Sequence, residues 1–235
     1  MLKIWICGAG GRVGRKMTDI LASRPVELLL TDADSVDITD SEAVMEYAHI
    51  NRPHYIVNCA GLTDAAACED CPEEAYRVNA LGARNLSVAA RMGKSRLVQM
   101  STDDVFDGRS LVPYTEFDPV SPRTVYGKSI RAASDQMASP TGADGLAAKV
   151  IELMEHGEDG LYHVTGQGCC SRYELAKEAV RLAGYQVSVE PVNASEDILS
   201  SMRPSYSVLD NMMLRISNMR LLPHWKEMLE AYMKD

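Results

Sequence analysis

The chain has 235 residues, 24 Lys+Arg against 33 Asp+Glu, a formal net charge of −9 and 46% hydrophobic residues. These proportions exclude a disordered or fibrous chain, and the length suffices for a full core. The acidic balance argues against a nucleic-acid-binding surface, which needs a basic face, but not against a small anionic ligand held by a few donors.

Four short apolar runs read as strands: Leu2–Cys7, Val26–Thr31, Tyr55–Ala60 and Arg96–Ser101. Helical stretches lie between them at Gly11–Arg24, Ser41–Arg52 and Pro72–Gly93. In the last of these, Ala75, Val78, Gly82, Leu86 and Ala89 recur every three or four residues and predict one buried stripe. Alternating strand and helix predicts an α/β fold, a Rossmann-like doubly wound parallel sheet. The second half is less regular. A helix at Gly142–His156 precedes a strand-like Leu161–Thr165. A helix at Ser171–Gly184 follows, with Ser171 and Glu174 spaced as a capping box. An extended Gln186–Pro191, a loop holding Arg203-Pro204 and a last helix near His224–Met233 complete the chain. Residues 1–134 are expected to form a dinucleotide-binding domain. Residues 135–235 are expected to form a smaller substrate-binding part, with some segments packing back on the first.

No stretch approaches the ~18 apolar residues that span a bilayer. The opening MLKIWICGAGG runs straight into a glycine turn and leaves no room for a signal peptide, so a cytoplasmic protein without a membrane partner is expected. Cys7 and Cys59 lie in apolar runs and read as small buried hydrophobes. Cys68 and Cys71 form a C-x-x-C, but a structural zinc site needs a second pair at similar spacing, and Cys169-Cys170 are adjacent. Neither a metal site nor a redox role is expected.

The first strand leads into Gly8-Ala9-Gly10-Gly11-Arg12-Val13-Gly14 and then a helix. Gly8-x-x-Gly11-x-x-Gly14 has the spacing of extended short-chain dehydrogenases. Gly8 allows the tight turn, Gly11 lets the backbone approach a pyrophosphate, and Gly14 lets the helix pack on the strand. The helix N-terminus offers N–H donors and a positive dipole end to the phosphates. Asp32 follows the second strand, 18 residues past Gly14, where an acid bonds ribose hydroxyls and favours NADH. Arg12 and Arg15 stand near enough to meet the 2′-phosphate of NADPH, so both cofactors stay open. Asp37-Ile38 would flank the adenine with a carboxylate and an apolar wall, or Asp37 would simply start a turn.

Ligands of open parallel sheets bind at the carboxyl ends of the strands. There the fourth strand ends in Gln99-Met100-Ser101-Thr102-Asp103, and Tyr126-Gly127-Lys128-Ser129 lies downstream. With Val57-Asn58-Cys59-Ala60-Gly61-Leu62-Thr63, Val78-Asn79-Ala80, Ser101–Phe106, Asp135–Thr141 and Arg203-Pro204, these runs cover most of the chain. Together they resemble the dTDP-4-dehydrorhamnose reductase family, extended short-chain dehydrogenase/reductases.

The resemblance implies an NADPH- or NADH-dependent oxidoreductase that passes hydride to the C4 ketone of a dTDP-4-dehydro-6-deoxyhexose in nucleotide-sugar synthesis. It carries the proton-donor role to Tyr126 and the carbonyl contact to Thr102, with Ser101 and Asp103 beside it. It places Ala60, Gly61, Thr63 and Asn79 at the cofactor and Arg203 at the substrate pyrophosphate, for which a surface ion pair is the alternative. It is compatible with a homodimer. His163, in an apolar run, reads as structural.

Two departures stand out. Asp104 replaces the family's aromatic after Ser-Thr-Asp. The position four after Tyr126 is Ile130 rather than the lysine that lowers the phenol's pKa, and Lys128, two residues on, points about 200° around a helix. Moreover, Ile130–Gln136 reads like the lead-in to a later family segment. A βαβ crossover takes ~30 residues, and the five between Ser129 and Asp135 are far too few to form one. Either the protein has lost a strand and helix, or the sequence omits residues between 129 and 130. A non-catalytic nucleotide-binding subunit, similar to the methionine adenosyltransferase β subunit, and a sugar-nucleotide epimerase or dehydratase are the alternative functions.

Overall fold

In the computed structural model the described residues are 1–121, 136–184, 189, 191 and 204–234. They fall into two compact units. Unit 1 is Met1–Thr63 with Ala67–Ser101, and unit 2 is Asp64–Ala66 with Thr102–Asp235.

Unit 1 is built on a four-stranded parallel sheet in the order β2-β1-β3-β4: β1 Leu2–Cys7, β2 Val26–Thr31, β3 Tyr55–Asn58 and β4 Arg96–Gln99. The expected parallel α/β architecture is therefore present. Register pairs Trp5 with Leu29 and Ile56, and Cys7 with Thr31 and Asn58. Trp5, Cys7 and Ile56 share one sheet face by alternation. On it they pack with Val44 and Ala48 of α2 (Ser41–Asn51) and Leu86, Ala89 and Ala90 of α5 (Ala83–Gly93). The Trp5 indole N–H, fully buried, donates to Thr31 Oγ1 at 2.8 Å, so burying the ring leaves no orphan donor. Asp40 caps α2 by accepting from the Glu42 and Ala43 N–H groups.

The predicted third helix is more elaborate than its periodicity suggests. α3 (Ala65–Asp70) precedes α4 (Pro72–Tyr76), Arg77–Gly82 winds as a π-helix, and α5 continues the run. Ala75, Gly82, Leu86 and Ala89 are buried as predicted, and Val78 packs partly buried against the same core. A Cβ on Gly82 would lie 2.6 Å from Ile38 Cδ1, so the glycine makes room for that side chain.

Unit 2 carries α6 (Ala143–His156), α7 (Arg172–Leu182), α8 (Met212–Ile216) and α9 (Trp225–Tyr232). It also holds an antiparallel pair of β5 (Met137–Ala138) with β6 (Cys170–Ser171). The capping box forms as predicted: Glu174 N–H donates to Ser171 Oγ, and Ser171 N–H donates to Glu174 Oε2. The predicted strand Leu161–Thr165 is irregular instead. Side chains take its backbone donors: His163 N–H goes to Glu116 Oε1 at 3.0 Å, and Thr165 N–H to Asn211 Oδ1 at 2.8 Å. His163 is structural, its Nδ1 lying 3.1 Å from the Asp210 carbonyl and its ring edge-on to Phe106.

Candidate active site

In unit 1 the carboxyl ends of the strands meet the glycine turn. Gly8 has φ +73°, and a Cβ on it would lie 2.6 Å from Ala60 N, so turn and β3 end touch backbone to backbone. Its N–H and that of Ala9 donate to the Thr31 carbonyl. A Cβ on Gly14 would lie 2.3 Å from Gly8 O, whereas one on Gly11 meets that atom at 3.2 Å.

Helix α1 (Arg12–Leu21) starts from Gly11 in an extended conformation, with no side-chain cap and no acid in its first turn. Its first N–H groups therefore keep the capacity that helix N-termini offer an anion. The bare Gly11, the extended cap and the Gly8–Ala60 approach fit a dinucleotide diphosphate. Arg12 is exposed and Val13 half-buried beside this turn.

Asp32 is exposed at the end of β2, and both its carboxylate oxygens accept the Gly10 N–H, at 3.1 and 3.0 Å. It thus braces the turn. The side chains of Arg12 and Arg15 make no hydrogen bond or ion pair among the described residues. Asp37 starts a turn, accepting Thr39 N–H at 2.8 Å. Ile38 is 5% exposed and its side chain lies against Gly82 in the core, so no apolar wall for adenine is built from it.

The segment after β3 is held from two sides. Asn58, 1% exposed, donates from Nδ2 to Gln99 Oε1 at 2.9 Å and accepts Ala60 N–H on Oδ1 at 3.1 Å. Asn79, on the π-helical turn, accepts Leu62 N–H at 2.8 Å and donates to Leu62 O at 3.1 Å. A Cβ on Gly61 would lie 3.1 Å from Asn79 Oδ1. A π-turn inside an α-helical run often marks a functional position. Gly8, Ala60, Gly61 and Asn79 are thus brought together, with Thr63 exposed at the segment's end. The roles of Asn58 and Gln99 were missed from the sequence. Each is a polar residue in an apolar strand, but only the β3–β4 register pairs them.

Ser101 is exposed at the end of unit 1. In unit 2, Thr102 caps the 3-10 turn Asp103–Val105: its Oγ1 accepts Asp104 N–H and donates to Asp103 Oδ1, both at 3.3 Å. Pro204 packs on Gly108, where a Cβ would lie 2.4 Å from Pro204 Cα. Tyr126, Lys128, Ile130 and Arg203 lie outside the described residues.

Burial pushes the Cys59 thiol up to about 11 and that of Cys7 higher still. None of the six cysteines is disulfide-bonded, and no group of metal-ligating side chains forms among the described residues.

The family model of the RmlD substrate binding domain matches residues 2–133 and 128–235. The chain belongs to this family. A dTDP-4-dehydrorhamnose reductase from Clostridium acetobutylicum is 32% identical, with a TM-score of 0.95 over 99% of each chain. The Bacillus anthracis dTDP-4-dehydrorhamnose reductase, solved in complex with NADP, is 28% identical, with a TM-score of 0.93 over 100% of each chain. The spore coat polysaccharide biosynthesis protein SpsK of Bacillus subtilis is 29% identical over 279 aligned positions, covering 100% of this chain and 98% of that protein. The resemblance carried by the glycine turn and the dispersed motifs is borne out. The alignment of 279 positions exceeds the 235 residues of the chain, so about 44 of its positions have no counterpart here. The two stretches matched by the family model meet at 128–133.

Proposed function

We propose that the chain reduces the 4-keto group of a dTDP-4-dehydro-6-deoxyhexose with NADPH, in nucleotide-sugar biosynthesis. The observation that carries this reading is the backbone contact of Gly8 with Ala60 beside the uncapped start of α1. The names of its dTDP-4-dehydrorhamnose reductase relatives, one solved with NADP, support the substrate and cofactor classes. Gly8, Gly11 and the N–H groups of Arg12, Val13 and Gly14 would hold the diphosphate. Arg12 and Arg15, unpaired among the described residues, would take a 2′-phosphate. Asp32, engaged with Gly10, is the ribose ligand that NADH would need. Ala60, Gly61, Thr63 and Asn79 would line the nicotinamide half, and Asp37 and Ile38 the adenine end through their backbone.

When bound, the nicotinamide supplies the hydride. Thr102 Oγ1, whose present hydrogen bonds are both long, turns to the substrate carbonyl, flanked by Ser101 and Asp103. Tyr126 donates the proton to the forming alkoxide. Ile130 stands at the position four after Tyr126 where the family's lysine is expected. Arg203 forks onto a substrate phosphate. The cytoplasm suits a chain whose six cysteines are thiols and that has no helix long and apolar enough to cross a membrane among the described residues.

The test is loss of nicotinamide absorbance with NADPH, with and without the dTDP-keto-sugar, alongside fluorescence binding of NADPH. Tyr126→Phe is expected to bind NADPH normally and to lose roughly 10²–10⁴ in turnover. Near-normal turnover in that variant removes Tyr126 from the mechanism. Binding by the wild type with no turnover on any keto-sugar replaces the reductase with a nucleotide-binding subunit.

A further inference from the structure

The C-x-x-C motif is not absorbed by the reductase reading. Cys68 lies in α3 and is fully buried, and its Sγ contacts the Leu62 carbonyl at 3.6 Å. Cys71, three residues on, is exposed. Its N–H donates to the Ala67 carbonyl at 2.9 Å and closes the last turn of α3. Side chains three apart on a helix have Cβ atoms about 5–6 Å apart. Disulfides need about 3.5–4.5 Å, so closure requires a small local movement. The backbone can give here, because Cys71 has φ −131° and ψ 69°, outside the helical region, at the joint between α3 and α4.

We propose that Cys68 and Cys71 form a peroxide-sensitive dithiol whose oxidation releases the Gly61–Thr63 segment. The chemistry balances with hydrogen peroxide as oxidant. The exposed Cys71 sulfur attacks the peroxide, the O–O bond breaks, and one water leaves with formation of a sulfenic acid. The Cys68 sulfur then attacks Cys71 Sγ, the S–O bond breaks as the S–S bond forms, and the second water leaves. Two thiols are oxidised and one peroxide is reduced.

The consequence follows from what Cys68 touches. To reach Cys71 its sulfur must leave the Leu62 carbonyl, the same oxygen that Asn79 Nδ2 bonds at 3.1 Å. Leu62 follows Gly61 and the Ala60 that packs on Gly8. Oxidation therefore loosens the segment beside the glycine turn, and on the reductase reading it weakens NADPH binding. Losing one hydrogen bond there corresponds to a decrease of about threefold to tenfold in affinity.

The experiment treats the full chain with equimolar hydrogen peroxide. It then maps disulfides by alkylation and peptide mass spectrometry, and follows amide exchange across 60–63. Expected are a Cys68–Cys71 linkage, a mass about 2 Da lower, and faster exchange at Leu62, all abolished in Cys71→Ser. Cys169→Ser removes the other exposed thiol and should leave these results intact. Cys68 still alkylated in full after oxidation and denaturation overturns the proposal, as does unchanged exchange at Leu62 once the linkage has formed. These readouts do not involve cofactor. A reduced protein that fails to bind NADPH thus refutes the reductase reading separately, while the map and exchange decide the dithiol.

Discussion

Asn79 closes both hydrogen-bonding groups of the Leu62 backbone, accepting its N–H at 2.8 Å and donating to its carbonyl at 3.1 Å. One side chain on the π-helical turn thus sets the path of the chain beyond β3. Each such bond contributes about 0.5–1.5 kcal/mol. Asn79→Leu keeps the size and loses both. The expected outcome is faster amide exchange at Leu62 and an NADPH KM raised about tenfold, with kcat changed less. A kcat collapse at unchanged KM would mean that Asn79 acts on the reacting atoms rather than on the segment.

The glycine turn makes a graded prediction. A methyl at position 14 has no room against Gly8 O at 2.3 Å, whereas one at position 11 meets the same atom at 3.2 Å. Gly14→Ala must push α1 away from the turn, with an overpacking cost of about 1–3 kcal/mol. It should also lose NADPH binding. Gly11→Ala should keep the fold and weaken binding moderately. Thermal melts and NADPH fluorescence on both variants check this, and equal behaviour of the two would contradict the geometry.

Local rules made much of this legible. The four strands start where their apolar runs start, and the Ser171–Glu174 capping box and the buried stripe of Ala75, Leu86 and Ala89 form as read. Where long-range partners decide, the sequence is silent. Leu161–Thr165 alternates like a strand, but Glu116 and Asn211, distant along the chain, take its donors. Asp32 sits where a ribose ligand would sit, yet its oxygens accept from Gly10. Ile38 looked like a ligand wall because nothing in the local pattern reports the empty space over Gly82 that it fills. The Asn58–Gln99 bond required the β3–β4 register, which no residue spacing encodes.

Glu116 makes a test of buried charge. Its side chain is 1% exposed, Oε1 accepts from the N–H groups of His163 and Met213, and Oε2 has no hydrogen-bond partner among the described residues. Glu116→Ala orphans two buried donors at about 1–3 kcal/mol each, and the melting temperature should drop by several degrees. Glu116→Gln keeps the acceptor and discards the buried charge, so its melt should match or exceed the wild type at pH 7. If Gln proves as damaging as Ala, the contact of Oε2 with His163 Nδ1, 3.9 Å away, becomes the explanation.

The buried thiols give the protein an alkaline limit. Burial pushes Cys59 up to about 11 and Cys170 up to about 12. An unfolded thiol titrates near pH ~8.5, so the unfolded chain loses its protons first. The stabilising contribution is whole below that pH and is lost progressively as pH rises toward the folded value. Denaturant midpoints should therefore fall between about pH 9 and pH 11, each thiol adding a slope of up to about 1.4 kcal/mol per pH unit. Lysines and tyrosines titrate in the same window, so the comparison must be differential. Cys59→Ala should show a shallower decline than the wild type over that range while matching its pH dependence below pH ~8. Parallel declines in the two proteins would mean that Cys59 ionises in the folded chain as readily as in the unfolded one.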